Sequence, residues 1–442
     1  MEVTLVSLDD RVVVDFDQHS LDYRNRYPEI SHELRSKCPV TWSTNYDGYW
    51  VVSGLEEVSS LLRRPELFSA TKDLSNPESP FRGIQIPDNN PGITAGFLEM
   101  DPPLQIAYRH VLNPYLSPAA IQRWEPLVRD FTHACINEVI ESGRVDFVDD
   151  IANIVPAVLT MAMLGLPLAD WVTYCEPTHA MVYTPPDSPD LPRVQQASMA
   201  MVMRLAQCVG EARVNSRPGI IRALIEAEVD GQPLDDGGII GTTFLVIGGG
   251  FDTTTSLTAS AWRWLSENPS ERARLVADES LLGQATEEFL RYFSPSQGDA
   301  RTVTQDCEVA GYKFSEGDRV LMGFAMPNRD PRVFDDPDEL KLDRFPNRHA
   351  AFGLGNHRCI GSNIARMQFK VIMWETLQRL GDYVVDGSAA ERYESIGVIN
   401  GYQHLPATFT PGQKVGPGLA EMMQIWQTRL DEEAAADAVS RS

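Results

Sequence analysis

The chain has 442 residues, of which 43% are hydrophobic and 23% charged, a composition typical of a folded globular protein. Its formal net charge of −24 at pH 7 would be repelled by phosphate backbones, which excludes nucleic acid as a general partner. Its 6 cysteines are widely spaced and form no CxxC pair, which argues against a zinc site or a disulfide framework.

The N-terminal segment MEVTLVSLDD is acidic and lacks the basic region of a secretory signal. The apolar stretch from Ile151 to Leu168 contains Asn153 and Pro156 and is flanked by acids. It predicts a buried core helix rather than a membrane span. We therefore expect a cytoplasmic protein without a membrane segment.

The spacing of apolar residues predicts a mainly helical chain with scattered short strands. The predicted helices cover residues 54–64, 104–115, 236–268, 281–293 and 360–380. The predicted strands cover residues 49–53, 307–309 and 320–323. A long loop is predicted at 71–94, and residues 174–193 are predicted to hold a second loop, rich in Pro and Asp, with the sequence VYTPPDSPDLP. An irregular stretch is predicted at 342–358.

A further helix is predicted near the C-terminus, because five apolar residues recur on one helical face. These residues are Leu419, Met422, Met423, Trp426 and Leu430. The tail that follows, EEAAADAVSRS, is polar, and we expect it to fray.

The segment from Phe352 to Gly361 reads FGLGNHRCIG. Its first two glycines let the backbone turn tightly and approach a flat ligand closely. Cys359 stands at the start of a predicted helix, where the dipole and free N–H groups stabilise a thiolate. A thiolate facing a planar cofactor suits the iron of a haem, because its electron donation favours cleavage of the O–O bond of dioxygen. The alternative is a glycine-rich turn with a buried cysteine.

A second motif lies inside the long helix predicted at 236–268. Three glycines at 248–250 should destabilise that helix by roughly 1 kcal/mol each relative to alanine, so something must pack close to the backbone there. Asp252 and Thr253 follow, and an acid beside a hydroxyl can relay protons to a buried site. A kinked helix with polar surface residues is the alternative.

The FGLGNHRCIG segment matches, position for position, the cysteine-ligand loop of the cytochromes P-450, and the chain resembles that family over roughly residues 10–411. The resemblance implies the mainly α cytochrome P-450 fold, with a large helical domain and a small β-rich lobe. It also divides the chain into a catalytic domain at 1–411 and a C-terminal amphipathic helical extension with a polar tail at 412–442.

The resemblance further implies haem b as cofactor and dioxygen as co-substrate. Cys359 is then the iron ligand, and Phe352, Gly353 and Gly361 belong to its loop. Asp252 and Thr253 map onto the family's acid–alcohol pair beside the dioxygen site. The neighbouring groove for dioxygen and water maps onto Gly249 and Gly250.

Other residues match family positions that hold the haem and the region behind it. The haem propionates are expected to meet Arg109, Arg301 and His357. Many relatives carry a histidine where Gln105 stands, and a glutamine donates a hydrogen bond but no charge. The family's Glu-x-x-Arg motif and its downstream arginine map onto Glu288, Arg291 and Arg344, for which we expect a structural role.

The partners implied by the resemblance are a ferredoxin and its reductase, which pass on electrons from NAD(P)H. A basic island on an acidic chain suits an acidic donor. Its members are Arg344, Arg348, His349, His357, Arg358, Arg366 and Lys370. We expect Arg358 and Arg366 to help bind the donor.

The implied activity is hydroxylation, or a related oxidation, of a small or medium hydrophobic compound such as a terpenoid, steroid, fatty acid or aromatic. Apolar pocket residues are expected at Phe81, Ile84, Ile86, Phe97, Met181, Val182, Val246, Val398 and Ile399. Two alternatives stay open: a peroxide-driven peroxygenase, against which the retained acid–alcohol pair argues, and a non-catalytic haem or ligand-binding protein. The C-terminal helix is expected to pack on its own domain or to form a homodimer.

Overall fold

Helices dominate the chain in the computed structural model, which describes residues 11–76, 78–90 and 92–441. The α-helices are α1 (Leu21–Lys37), α2 (Leu55–Leu62), α3 (Leu104–Leu116), α4 (Pro118–Ile121), α5 (Glu125–Val139), α6 (Ile154–Leu164), α7 (Trp171–Tyr183), α8 (Leu191–Val214), α9 (Ile220–Glu226), α10 (Asp236–Glu267), α11 (Pro269–Ala277), α12 (Leu282–Phe293), α13 (Ser362–Arg379) and α14 (Leu419–Arg441).

The strands are short and belong to several small sheets. They are β1 (Val13–Val14), β2 (Val40–Ser43), β3 (Tyr49–Val52), β4 (Phe68–Ser69), β5 (Arg144–Asp146), β6 (Glu228–Val229), β7 (Gln232–Pro233), β8 (Gly298–Val303), β9 (Cys307–Val309), β10 (Tyr312–Phe314), β11 (Arg319–Gly323), β12 (Val384–Val385), β13 (Glu391–Arg392), β14 (Tyr402–His404) and β15 (Pro406–Thr408).

The largest sheet has six strands in the order β1-β2-β3-β11-β8-β4. Strand β11 pairs in parallel with β3 and antiparallel with β8. This sheet and α1 enclose two apolar clusters that are separate from the helical core. The predicted small β-rich lobe is therefore present beside a large helical domain.

The central element of the helical domain is α10, which spans 32 residues. Its N-terminus is capped by Asp235, whose carboxylate accepts a hydrogen bond from the backbone N–H of Gly238 at 2.8 Å. It packs against α6, α7, α8 and α13. The glycine-containing middle of α10 thus lies among helices from both halves of the chain.

The apolar stretch predicted as a core helix forms α6, and all of its residues are buried. It ends at Gly165, where φ is +83°, a left-handed conformation that favours glycine. Within the described ranges, no helix has the length and apolar character needed to cross a membrane. The prediction of a buried helix at this position is confirmed.

The loop predicted within residues 174–193 is present but shorter than expected. Helix α7 continues to Tyr183 and α8 begins at Leu191, so the irregular segment covers only residues 184–190. The Pro- and Asp-rich composition suggested a longer loop, but α7 buries Tyr174, Thr178 and Ala180 in the helical core. Tertiary packing of this face outweighs the weak helical propensity of the segment.

The C-terminal tail, for which fraying is expected, is helical, because α14 continues to Arg441. Ion pairs from Asp437 to Arg222 and from Arg441 to Glu226 hold this last part against α9. Met422 and Trp426 are buried, and α14 packs on α5 of its own chain. The apolar face predicted for this helix is therefore covered within one molecule.

Candidate active site

The cysteine loop is shaped by two glycines with left-handed backbone conformations. Gly353 has φ +64° and Gly355 has φ +69°. A Cβ at Gly355 would lie 2.3 Å from the carbonyl oxygen of Leu62 at the end of α2. The backbone N–H of Cys359 donates to the carbonyl of Phe352 at 2.8 Å and closes the loop. Both glycines are therefore required by backbone geometry, as the motif predicted.

Cys359 stands three residues before α13 begins, and it is exposed. The surrounding protein atoms raise the pKa of the Cys359 thiol by desolvation. The backbone N–H of Gly361 acts against this, followed by the charges of Arg109 and Arg358. A metal cation that replaced the thiol proton would complete the stabilisation of the thiolate.

A cluster of basic groups converges beside this cysteine. Arg301 on β8 is 2% exposed, and its Nη1 donates to the carbonyl of Ala300 at 2.6 Å. Burial, and then the charges of Arg301 and Arg109, lower the pKa of His357 to about 3. Both ring nitrogens of His357 are buried without a hydrogen-bond partner. A buried histidine between two guanidinium groups is a site that an anionic ligand would complete.

Gln105, the weaker candidate for a propionate contact, is also bonded to the cysteine loop. Its side chain is completely buried, and its Nε2 donates to the carbonyl of Asn356 in the cysteine loop at 2.8 Å. Its Oε1 has no partner. Gln105 therefore fastens α3 to the loop that carries Cys359.

The sequence reasoning missed Asp299, which precedes Arg301 by two residues on β8. Side chains two apart on a strand share a face, and this spacing was the available signal. Burial raises the pKa of Asp299, while the charge of Arg301 opposes that rise. Asp299 thus faces the same region as the basic cluster.

The glycines of α10 face different neighbours. Gly249 is exposed, and a Cβ built on it would meet no atom within 4 Å. A Cβ on Gly250 would lie 2.6 Å from the hydroxyl of Thr160 on α6. Gly249 therefore leaves open space beside α10, whereas Gly250 allows close packing of α10 on α6.

Thr253 and Asp252 also point to different surroundings. The hydroxyl of Thr253 donates to the carbonyl of Gly249 at 2.9 Å, on the open side of α10. The side chain of Asp252 is 0% exposed, and its Oδ1 is hydrogen-bonded to His179 Nδ1 on α7. Tyr393 donates its hydroxyl to the same oxygen at 2.9 Å.

His179 and Tyr393 were not identified from the sequence. Burial alone would lower the pKa of His179, but the carboxylate of Asp252 outweighs burial, and the pKa lies well above the usual 6.5. The available signal was the spacing of Cys175 and His179, which places both on one face of a helix. That face was obscured by the loop predicted over the segment.

The structural triad predicted at Glu288, Arg291 and Arg344 is brought together. Arg291 donates from Nε and Nη2 to the two carboxylate oxygens of Glu288, both at 2.8 Å, and both side chains are completely buried. Arg344 Nε donates to Glu288 Oε1 at 3.0 Å. The remaining donors of Arg291 reach the carbonyls of Asn328 and Pro337. The cluster ties α12 to the irregular segment before the cysteine loop.

Part of the basic island predicted around the cysteine is neutralised by a neighbouring carboxylate. Arg366 donates from Nε and Nη2 to the carboxylate of Glu287 at 2.6 and 2.7 Å, and His349 contacts the same carboxylate. Burial would raise the pKa of Glu287, but Arg366 and His349 outweigh it and lower the pKa to about 2. Arg358 is exposed and, among the described residues, forms no ion pair. Of the two arginines expected to bind the donor, Arg366 is thus neutralised by Glu287, and Arg358 is exposed.

The apolar residues expected around the substrate are distributed over several elements. Ile84, Ile86 and Val398 line a small cavity of about 40 Å³ that Asp299 also lines. Ile86 packs mainly into the apolar core of the β lobe. The other expected residues lie on α7 (Met181, Val182), on α10 (Val246), in a 3₁₀ turn packed against α10 (Phe97), in a bridge with Ser296 (Ile399) and in the loop before Arg82 (Phe81).

The residues in and around the cysteine loop fit an iron porphyrin. The accessible sulfur of Cys359 would hold the iron, and the basic cluster of Arg109, Arg301 and His357 would hold the two carboxylates. Gly249 leaves open space beside α10. When bound, the haem supplies the activation of dioxygen, and the protein supplies orientation and electrostatics.

Comparisons with known proteins agree with this assignment. The family model described as cytochrome P450 matches residues 170–381. Linalool 8-monooxygenase from Pseudomonas putida is 30% identical over 402 residues, which are 88% of this chain and 97% of that protein.

Solved structures show the same architecture. CYP109E1 from Bacillus megaterium in complex with testosterone has a TM-score of 0.78 and 27% identity, covering 88% of this chain and 99% of its own. CYP268A2 from Mycobacterium marinum in complex with pseudoionone has a TM-score of 0.80 and 26% identity, covering 89% and 99%. The chain therefore belongs to the cytochrome P450 family, as a haem-thiolate monooxygenase that uses haem b, dioxygen and reducing equivalents from NAD(P)H delivered by redox partners.

Proposed function

We propose that this monooxygenase hydroxylates, or otherwise oxidises, a small or medium hydrophobic compound of the terpenoid or steroid class, with electrons from a ferredoxin. The observation that carries the proposal is the accessible sulfur of Cys359 beside the basic cluster of Arg109, Arg301 and His357. The substrate class is supported by the names of the similar proteins, which include linalool, testosterone and pseudoionone. Fatty acids and aromatics remain the wider class to be screened.

We propose that protons reach the dioxygen site through α10. Thr253 holds its hydroxyl on the open side of the helix, beside Gly249. Asp252 directly precedes Thr253 in the chain and is hydrogen-bonded to His179, which lines a surface cavity. His179 would then pass a proton from its Nδ1 to Asp252 Oδ1, and Asp252 would deliver the proton towards Thr253 and the dioxygen site.

The docking surface for an acidic ferredoxin is proposed around the cysteine loop. Arg358 is exposed there, and Leu62 contacts Gly355, so the exposed Arg63 and Arg64 lie on the same side. Exposed cations of this kind accelerate association with an acidic partner more than they stabilise the complex. Because the chain as a whole is acidic, an acidic ferredoxin is repelled elsewhere and is directed to this local basic surface.

The first experiment is the absorption spectrum of the reduced, carbon-monoxide-bound protein. Thiolate ligation by Cys359 predicts a strongly red-shifted Soret band, which Cys359→Ser should abolish. The matched control is Cys307→Ser, which should leave the band in place. A haem-loaded wild-type protein without the red-shifted band would refute the proposed iron ligand.

The second experiment separates the monooxygenase from a peroxygenase and a binding protein. Linalool, testosterone, a fatty acid and a simple aromatic are added in turn, and spin-state shifts of the haem spectrum are recorded. Products are then sought by mass spectrometry with ferredoxin, reductase and NAD(P)H, and in parallel with hydrogen peroxide. Faster turnover with peroxide would favour the peroxygenase, and binding without product would favour the non-catalytic alternative.

A further inference from the structure

A hydrogen-bonded cluster of four residues joins α7 to α10. Cys175 and His179 are four residues apart on α7 and therefore share a face. The sulfur of Cys175 lies 3.0 Å from His179 Nε2, and His179 Nδ1 bonds Asp252 Oδ1. Tyr393 donates to the same carboxylate oxygen. The imidazole is thus bonded to a thiol on one side and to a buried carboxylate on the other.

This order of groups activates a nucleophile. A carboxylate that accepts the Nδ1–H of an imidazole directs Nε2 to the opposite side of the ring and stabilises the imidazolium. Here Nε2 of His179 faces the sulfur of Cys175. Because the raised pKa of His179 keeps its ring charged near neutral pH, the imidazolium stabilises a thiolate at Cys175. The hydrogen bond between Asp252 and Nδ1 orients the ring, and Tyr393 in turn holds the carboxylate of Asp252.

The cluster opens onto a surface cavity of about 390 Å³, which both Cys175 and His179 line. This volume is in the range of small-molecule sites, roughly 300–1,000 Å³. Its walls include four aromatic side chains, Trp171, Tyr183, Tyr393 and Tyr402. Besides His179, the acidic and basic groups that line the cavity are Asp149, Glu176 and His404. An apolar cavity with two carboxylates favours an uncharged ligand over an anion.

We propose that Cys175 is a nucleophilic modification site for small uncharged carbon electrophiles, with the imidazolium of His179 stabilising its thiolate. With a haloacetamide, the thiol proton is released to water in the cavity, the sulfur forms a bond to the methylene carbon, the carbon–halogen bond breaks, and halide leaves. The proposal shares the pair of His179 and Asp252 with the proposed proton path, but it uses neither haem nor electron transfer, so the alkylation rate tests it separately from turnover.

The test uses the haem-loaded wild-type protein with iodoacetamide in a quenched time course, read by peptide mass spectrometry. Cys38 and Cys307 are internal controls, since both are half-buried and more exposed than Cys175, which is 8% exposed. Alkylation of Cys175 about tenfold faster than of either control is expected from stabilisation of its thiolate by His179. Slower alkylation of Cys175 than of both controls would overturn the proposal.

Two further measurements separate activation by His179 from accessibility. His179→Gln should slow alkylation of Cys175 by about tenfold or more, whereas His404→Gln, at the same cavity but without contact to the sulfur, should leave the rate within about twofold. Iodoacetate should react more slowly than iodoacetamide because of the carboxylates in the cavity. Equal rates for wild type and His179→Gln, or faster reaction with iodoacetate, would each refute the proposed site.

Discussion

The imidazole of His179 is bonded to the carboxylate of Asp252, and this pair joins two helices whose contact the sequence did not reveal. The raised pKa of His179 gives the pair a defined pH dependence. A histidine whose pKa is raised by folding contributes stability that is complete below the unfolded pKa of about 6.5 and is lost as the pH rises through the folded pKa.

Replacing His179 by Gln should therefore destabilise the protein most at low pH. We expect a loss of about 2 kcal/mol at about pH 6, which shrinks at about pH 9. The measurement is urea unfolding of wild type and His179→Gln at both pH values, compared as differences so that other titrating groups cancel. A loss that grows with pH would show that His179 is not protonated by its contact with Asp252.

The buried pair of Glu288 and Arg291 should be essential to the fold. Arg291→Ala leaves the carboxylate of Glu288 completely buried with Arg344 as its remaining guanidinium partner, and we expect a loss of about 3–5 kcal/mol. The matched control is Arg26→Ala, which removes an exposed pair with Asp22 and should change stability far less. Urea unfolding of both variants decides the comparison, and equal losses would contradict a special role for the buried pair.

The cysteine loop predicts a contrast between two glycines with positive φ. Alanine at Gly355 would strain the backbone by about 1–2 kcal/mol and also collide with the carbonyl of Leu62. Alanine at Gly416 has the same kind of strain, but its Cβ would meet no atom within 4 Å. We expect Gly355→Ala to reduce haem content and the red-shifted Soret band, and Gly416→Ala to leave both unchanged. Equal haem content in both variants would refute the close approach of α2 to the loop.

Local motifs predicted much of the site because they encode backbone geometry directly. The glycines around Cys359 and the i, i+3 spacing of Glu288 and Arg291 carried their own structural meaning. The direction of the Asp252 side chain was not predictable, since it depends on His179 and Tyr393, which are far away in the sequence. The same holds for Arg366, whose partner Glu287 lies on a different helix.

The two arginines assigned to donor binding should behave differently. In Arg366→Glu the new carboxylate faces Glu287, whose low pKa keeps it ionised, so we expect a destabilised protein with less haem. In Arg358→Glu the fold should stay intact, while reduction by an acidic ferredoxin slows by about tenfold at low salt and less at high salt. Stopped-flow reduction at several ionic strengths, together with unfolding, measures both effects. Salt-independent reduction in Arg358→Glu would remove Arg358 from the docking surface.

The C-terminal helix α14 is expected to stabilise its own molecule rather than a dimer. Trp426 is 7% exposed, and its Nε1 donates to Asp130 on α5 at 2.9 Å. Trp426→Ala should cost about 3 kcal/mol in unfolding free energy, whereas Glu432→Ala, on the exposed side of the helix, should be close to neutral. Deletion of residues 416–442 should lower the melting temperature and leave the oligomeric state unchanged in light scattering, because the apolar face of α14 is already covered by α5. A fall in oligomer mass on deletion would show that α14 also binds a second copy of the chain.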